Sequence, residues 1–286
     1  MTATIDPAEF HEAQRQMWDG AADAWRRWWP VIEEAARPVT DRLVSLAEVA
    51  PGDQVLDVGT GIGEPALTAA RACAPGGRVL ATDLSGQMLQ IARDRAQDAG
   101  LDNVEFREAA GDQLGLDGEF DVALSRFTLM LVAEPDAMLA SMRRALRPGG
   151  RMACAVWSSP DRVPMIAVPM LTLLRELQVE PPPPGTPGIF SLADPARLEG
   201  LVREAGFTDV AVEAVVGQVT FPDAEEFARY IGEVAGPGIQ LALASLPEAR
   251  RIEAWDAVVD ALRAHAGEDG SVTLSAEALC VHGRAG

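Results

Sequence analysis

Residues 55–67 read VLDVGTGIGEPAL. Val55, Leu56 and Val58 form a short apolar run around a single acid, Asp57, and the run ends in Gly59, Gly61 and Gly63. This is the pattern of a buried strand turning sharply into a helix, because glycine lets backbone pass where a Cβ would block it. Working outward, RVLATD (78–83), VEFREA (104–109), FDVALS (120–125) and RMACAVW (151–157) repeat the strand pattern. Helices are predicted to about residue 73, from the N-cap Ser85 to about Ala99, and over 135–147, where Pro148-Gly149-Gly150 stops the last. Strands alternating with helices predict an α/β fold: a doubly wound parallel sheet covered on both faces, with ligands beyond the carboxyl ends of the strands.

Upstream, Phe10, Met17, Trp18, Ala21, Trp25 and Trp28 recur at helical spacings, so 9–29 reads as a tryptophan-rich amphipathic helix, with a second helix over 31–48. Downstream, the proline-rich loops SSPDRVP (158–164) and PPPPGTP (181–187) flank a helix at 165–178. A helix at 194–205 and a strand at 208–216 follow, then helices at 222–233 and 247–266 and a last strand at 271–283. The expected organisation is an N-terminal helical lid (1–50), a ligand-binding core (51–157), and the rest of the sheet (158–286) with helical cap insertions at about 158–193 and 218–268.

Composition narrows the function. Hydrophobic residues make up 48% of the 286, enough for a real core. The balance of 24 basic against 43 acidic residues, net −19, opposes a nucleic-acid partner. Every basic residue is arginine, which excludes Schiff-base chemistry and a P-loop lysine. Cys73, Cys154 and Cys280 are scattered, so neither a disulfide framework nor a metal site is expected. No apolar run approaches the roughly 18 residues of a membrane span, and the acidic start does not read as a signal peptide; a cytoplasmic protein without membrane contact is expected.

Four positions carry chemistry. The glycine turn 59–63 is either a ligand cradle or a tight structural turn. A dinucleotide fingerprint would need a third glycine where Glu64 stands, and that carboxylate opposes a pyrophosphate. Asp83, at the end of the second strand, can accept two ribose hydroxyls or serve as a solvated cap before Ser85. Asp112, in Gly111-Asp112-Gln113, can accept an adenine amino group, and Ser125-Arg126-Phe127 leaves the fourth strand at the sheet's centre.

VLDVGTGIGEPAL, ATDLSGQML (81–89), AAGDQL (109–114), FDVALSRFTLMLV (120–132) and RRALRPGGRMACAVW (143–157) resemble, in this order, the blocks of class I S-adenosylmethionine-dependent methyltransferases. The likeness is greatest to the ubiquinone/menaquinone-biosynthesis and bacterial small-molecule branch. It implies a Rossmann-like, seven-stranded, mostly parallel sheet with an antiparallel last strand. It further implies S-adenosylmethionine as cofactor, S-adenosylhomocysteine as product, and methyl transfer by in-line displacement. By this resemblance Asp57, Gly59, Thr60, Gly61, Ile62 and Gly63 hold the methionine part. Asp83 binds the ribose, Leu84 and Met88 lie near the adenine, Gly111, Asp112 and Gln113 meet its edge, and Ser125 approaches the sulfonium end.

The acceptor is expected over the ends of the fourth and fifth strands, lined by Trp25, Trp28, Arg126, Phe127, Met130 and Trp157, which favours an apolar or aromatic small molecule. His11 is the candidate base if one is needed; His265 and His282 read as structural. No metal is expected. Two rival readings remain: a nicotinamide-dependent oxidoreductase, which Glu64 opposes, and a protein of the same fold that keeps the cofactor for a role such as cyclisation.

Overall fold

The computed structural model describes residues 7–180, 186–234, 243 and 246–286. Most of PPPPGTP therefore lies outside the described residues. In chain order the elements are α1 (Pro7–Leu46), β1 (Gln54–Val58), α2 (Ala66–Cys73), β2 (Arg78–Asp83), α3 (Gly86–Asp98), β3 (Val104–Glu108) and β4 (Phe120–Arg126). There follow α4 (Pro135–Ala145), β5 (Leu146–Trp157), α5 (Pro164–Leu177), α6 (Pro195–Glu204), β6 (Phe207–Phe221), α7 (Ala224–Val234), α8 (Glu248–Arg263) and β7 (Val272–Ala285).

The seven strands form one sheet in the order β3-β2-β1-β4-β5-β7-β6. β1 to β5 pair in parallel, and β7 runs antiparallel to both β5 and β6. The chain order reverses direction between β1 and β4, which makes their carboxyl ends the switch point where such sheets bind ligands. One face buries Leu56, Ala123 and Met152 under Met138, Leu139 and Met142 of α4 and Leu198 and Val202 of α6. The other face buries Val55, Leu124 and Ala153 under α2, under Val39 and Leu43 of α1, and under Ala47 just after it. The strands on either side of the expected 218–268 cap insertion pair with each other as β6–β7. The outer end of this pair, Val219–Phe221 against Val272–Leu274, carries a separate apolar cluster with Phe227, Val258, Leu262 and Leu173 from α7, α8 and α5.

Two expectations need correcting. The two N-terminal helices are one helix of 40 residues that takes in Pro30 and Pro38. Each proline removes one helical hydrogen bond, a local cost that contacts along the whole helix outweigh. Pro148-Gly149-Gly150 does not follow a helix reaching 147: α4 ends at Ala145, and these residues lie within β5, whose register against β4 shifts between Phe120 and Val122. Gly149 has φ +76, the backbone freedom such an irregularity uses.

Candidate active site

β1 ends beneath two neighbours and turns at Gly59, whose N–H and that of Thr60 both donate to the Thr82 carbonyl of β2. Gly59, Gly61 and Gly63 have φ +74, +55 and +112. A Cβ on Gly59 would stand 2.2 Å from Thr128 Oγ1, whereas nothing lies within 4 Å of the corresponding point on Gly61. The turn is therefore packed on one side and open on the other. Asp83 faces the turn from the end of β2: its Oδ2 accepts from Gly61 N at 2.8 Å and its Oδ1 from Ser85 N at 2.9 Å. Burial pushes its carboxyl above the usual range, opposed by the N–H groups of Ser85, Gly61 and Leu84. Met88, buried in the first turn of α3, packs with Ile62 and Ile91.

Across the top of these strand ends runs α1. His11 Nε2 meets Asp112 Oδ1 at 3.2 Å, after β3. Asp19 accepts from Ser85 Oγ at 2.6 Å and from Gln87 N at 3.3 Å, extending the cap of α3. Trp18, Trp25 and Trp29 pack over Ile62, Met88 and Ile91, and the Arg95 guanidinium lies 4.4 Å from the Trp29 ring centre. Further along, Glu33 Oε1 stands 3.4 Å from Arg126 Nη1, which also donates to Thr40 Oγ1.

The structure thus gathers Gly59–Gly63, Asp83, Leu84, Met88 and, through α1, Trp25 at one end of the sheet. Asp112 is held there by His11, with the Gln113 side chain exposed and Gly111 wedged against Met138 and Val58. Four sequence expectations meet a different environment. His11 is 22 residues from Glu33, or about 33 Å of helix at 1.5 Å per residue, so its place beside Asp112 does not suit a base at the end of β4. Ser125 is fully buried and its hydroxyl donates to the Val58 carbonyl at 2.8 Å, joining β4 to β1. Trp28 turns away from the turn: its Nε1 donates to Glu233 Oε2 at 2.8 Å and its ring packs edge-on against Phe221 and Tyr230 in the cap core. Arg126, expected to face an acceptor, is engaged by Glu33 and Thr40.

Phe127 and Trp157 leave β4 and β5 as a parallel stack, ring centres 3.8 Å apart at 14°. Phe127 has φ +60, unusual for a bulky residue and costing roughly 1–2 kcal/mol. Met130 is buried behind them, its sulfur facing Trp157 N at 3.4 Å. Thr128, Glu33, Asp19 and Arg95 were not singled out from the sequence. Thr128 lay inside the stretch 120–132, whereas Asp19 and Glu33 sit on a helix far along the chain from their partners, with no local pattern to announce them.

Among the described residues, three buried side-chain polar atoms lack a hydrogen-bond partner: Trp25 Nε1, Asp57 Oδ1 and Thr60 Oγ1. Two belong to the turn and its strand, and the third to the helix packed over it. Asp57 is fully buried, and burial pushes its carboxyl up to about 7, opposed by the Thr60 hydroxyl, which lies nearby but outside hydrogen-bond geometry, and by the Arg126 charge. Unpartnered groups of this kind are expensive unless something else meets them. A ligand bearing both donors and acceptors fits that set, as it fits the open cradle above Gly61.

This sheet order, with its glycine turn and acid at the end of β2, defines the Rossmann-type fold of methyltransferases. A methyltransferase-domain family model matches residues 55–150. Over 180 residues the chain is 32% identical to the ubiquinone/menaquinone biosynthesis C-methyltransferase UbiE of Vibrio campbellii, covering 59% of this chain and 70% of that protein. The fold is shared with the phosphoethanolamine N-methyltransferase 2 of Haemonchus contortus, solved with phosphomonomethylethanolamine and S-adenosylhomocysteine (TM-score 0.58, 16% identity, 98% of this chain and 61% of that one). It is shared also with the [4+2]-cyclase SpnF (TM-score 0.51, 19% identity, 92% and 94%). The chain belongs to the class I S-adenosylmethionine-dependent methyltransferases, of the type that includes the ubiquinone/menaquinone C-methyltransferases, and S-adenosylmethionine is the cofactor this membership assigns. Among the described residues no helix is long and apolar enough to cross a membrane.

Proposed function

We propose that this protein transfers a methyl group from S-adenosylmethionine to a small aromatic acceptor of the phenol or quinol class. The observation that carries the cofactor's placement is the open space above Gly61, bordered by the Asp83 carboxylate at the end of β2. The cofactor would supply an electrophilic methyl on sulfur: an acceptor electron pair forms the new bond, the carbon–sulfur bond breaks with its electrons staying on sulfur, and the proton the acceptor carried leaves to solvent. The chain's part is placement and exclusion of water, since alignment alone is worth several kcal/mol. Asp83 takes the ribose hydroxyls, its carboxylate already aimed by the N–H groups of Gly61 and Ser85. Gly59–Gly63 and Asp57 hold the methionine end, and α1 closes over it as a lid, with Trp25 against the cofactor instead of the acceptor. The Phe127–Trp157 stack offers a flat wall for an acceptor ring at the ends of β4 and β5. The relative at 32% identity, a quinone-pathway C-methyltransferase by name, supports the aromatic class. The three cysteines are free and buried, in keeping with work in the reducing cytoplasm.

The test is S-adenosylhomocysteine formation over a panel of phenols, hydroquinones and amines. Turnover with the hydroxylated rings is expected. Turnover with the amines alone overturns the acceptor class, and tight cofactor binding without turnover on any acceptor favours a non-methylating role. Asp83→Ala is expected to weaken S-adenosylhomocysteine binding by about 1.5–3 kcal/mol, the worth of charge-assisted hydrogen bonds. Unchanged affinity by calorimetry removes Asp83 from the ribose site.

A further inference from the structure

Residues 126–128 leave β4 fastened at three points to three separate parts of the chain. The Arg126 guanidinium is gripped from α1, by Glu33 at 3.4 Å and by the Thr40 hydroxyl. The Phe127 N–H donates to the Ala155 carbonyl of β5 at 2.8 Å. The Thr128 hydroxyl donates to the Gly59 carbonyl of the glycine turn at 3.1 Å, and it fills the space where a Cβ on Gly59 would stand. Between these ties Phe127 takes a φ of +60, which phenylalanine does not choose by itself. Arg126 before it closes a regular strand, and Leu129 and Met130 after it are buried in one short helical turn. The departure is confined to the residue whose ring makes half of the aromatic stack.

The other half needs no such device. Trp157 is the last residue of β5, in register with Ala278 of β7, and its N–H faces the Met130 sulfur at 3.4 Å. The sheet itself places that ring. Phe127 is placed by the ties: in the right-handed or extended backbone that it prefers, its Cβ points elsewhere and the ring leaves Trp157, from which it now stands 3.8 Å at 14°. Of the three ties, the Thr128 hydroxyl is the one that runs to the turn assigned to the cofactor. The wall is thereby measured off from the place where the methyl donor is held, and methyl transfer depends on alignment of this kind.

Resting on the acceptor reading above, we propose that Thr128 is a positioning residue: tied to the Gly59 carbonyl, it keeps Phe127 left-handed and so holds the Phe127–Trp157 wall in register with the cofactor for an aromatic acceptor. It acts through Phe127 and not on the reacting atoms.

The test is fluorine NMR on the full chain labelled with 5-fluorotryptophan, Trp157 being assigned by the signal that Trp157→Phe loses. Thr128→Val keeps the shape of the side chain and removes its hydroxyl. The Trp157 signal is expected to move most of the way to its position in Phe127→Leu, where the stacked ring is gone. Thr128→Ser keeps the hydroxyl and should leave the signal where the wild type has it. With 1,4-naphthalenediol as acceptor, Thr128→Val should lower kcat/KM about three- to tenfold, the worth of one neutral hydrogen bond, and Thr128→Ser should restore it. Affinity for S-adenosylhomocysteine should stay within about twofold, since the bond lost serves the acceptor side. Should the valine variant fail to fold, Thr128→Ala takes its place. A Trp157 signal unmoved by loss of the hydroxyl overturns the proposal and leaves the acceptor class standing, as does a lost stack with turnover unchanged. A wild type that turns over no hydroxylated ring overturns the acceptor reading and the acceptor's part of this proposal with it. The fluorine signal still decides whether Thr128 holds the stack.

Discussion

Gly59→Ala is expected to lower stability by about 2–5 kcal/mol and to abolish cofactor binding. Two costs combine. The backbone at φ +74 is left-handed, which charges alanine roughly 1–2 kcal/mol. The new methyl would also stand 2.2 Å from Thr128 Oγ1, 2.5 Å from its Cγ2 and 2.7 Å from its Cβ. Rotating the threonine does not help, because its own Cβ is among the clashing atoms, and its hydroxyl is fastened to the Gly59 carbonyl at 3.1 Å. The ends of β1 and β4 must therefore part. A double substitution that adds Thr128→Gly removes all three atoms and should recover the steric share but not the backbone share, a coupling that a mutant cycle reads directly. Gly61→Ala is the control. Its φ is +55 but nothing lies within 4 Å, so it should lose about 1 kcal/mol of stability while binding falls further, since the open space there is the ligand's. Urea melts with calorimetry measure both. A Gly59→Ala protein as stable as the wild type contradicts the packing described for β1 and β4.

That pair of glycines also marks how far the sequence can be read. The strands were legible because each is a short apolar run closed by glycine or an acid, and the positions at their ends follow from topology once the alternation is seen. Asp83 and the turn therefore fell where expected. The helix over them was harder. Pro30 and Pro38 carry a local signal for a break, and only contacts far along the chain, from Asp19 at Ser85 to Ala35 against Gly217, override it. The tryptophans show the same limit. Trp25 and Trp28 share one helical pattern, yet one covers the turn and the other fills the cap core, because spacing names a face and not what lies against it. Arg126 was visible at the end of β4, but its partner Glu33 lies 93 positions earlier, with no local pattern to announce it. The left-handed backbone of Phe127 had no signal at all, since phenylalanine does not favour it.

Asp57→Asn should make the protein more stable at pH 8 and leave that advantage largely absent near pH 4. The Asp57 carboxyl moves from 3.8 to about 7 on folding, chiefly because burial disfavours its charge. The folded state thus holds the proton more tightly than the unfolded chain. Below about pH 4 both states are protonated and the residue costs nothing. As pH rises towards 7 the unfolded chain gives up its proton first, and stability drains away until the folded carboxyl ionises too. The whole interval corresponds to about 4 kcal/mol at most. Asparagine cannot ionise, so the variant escapes this loss, while its amide oxygen can still accept the Ala66 N–H that Asp57 Oδ2 takes at 3.1 Å. Its NH2 group replaces Oδ1 and has the neighbouring Thr60 hydroxyl as an acceptor. Urea unfolding of both proteins at pH 4.5 and pH 8 isolates the effect, because other titrating groups cancel in the difference. A gap between the two proteins that does not widen with pH would show that Asp57 is ionised at little cost. The stabilised variant should also bind S-adenosylmethionine more weakly than the wild type, since in the proposed site Asp57 helps to hold the cofactor's methionine end. Stability gained and affinity lost at one atom is the signature expected of a group kept for its ligand.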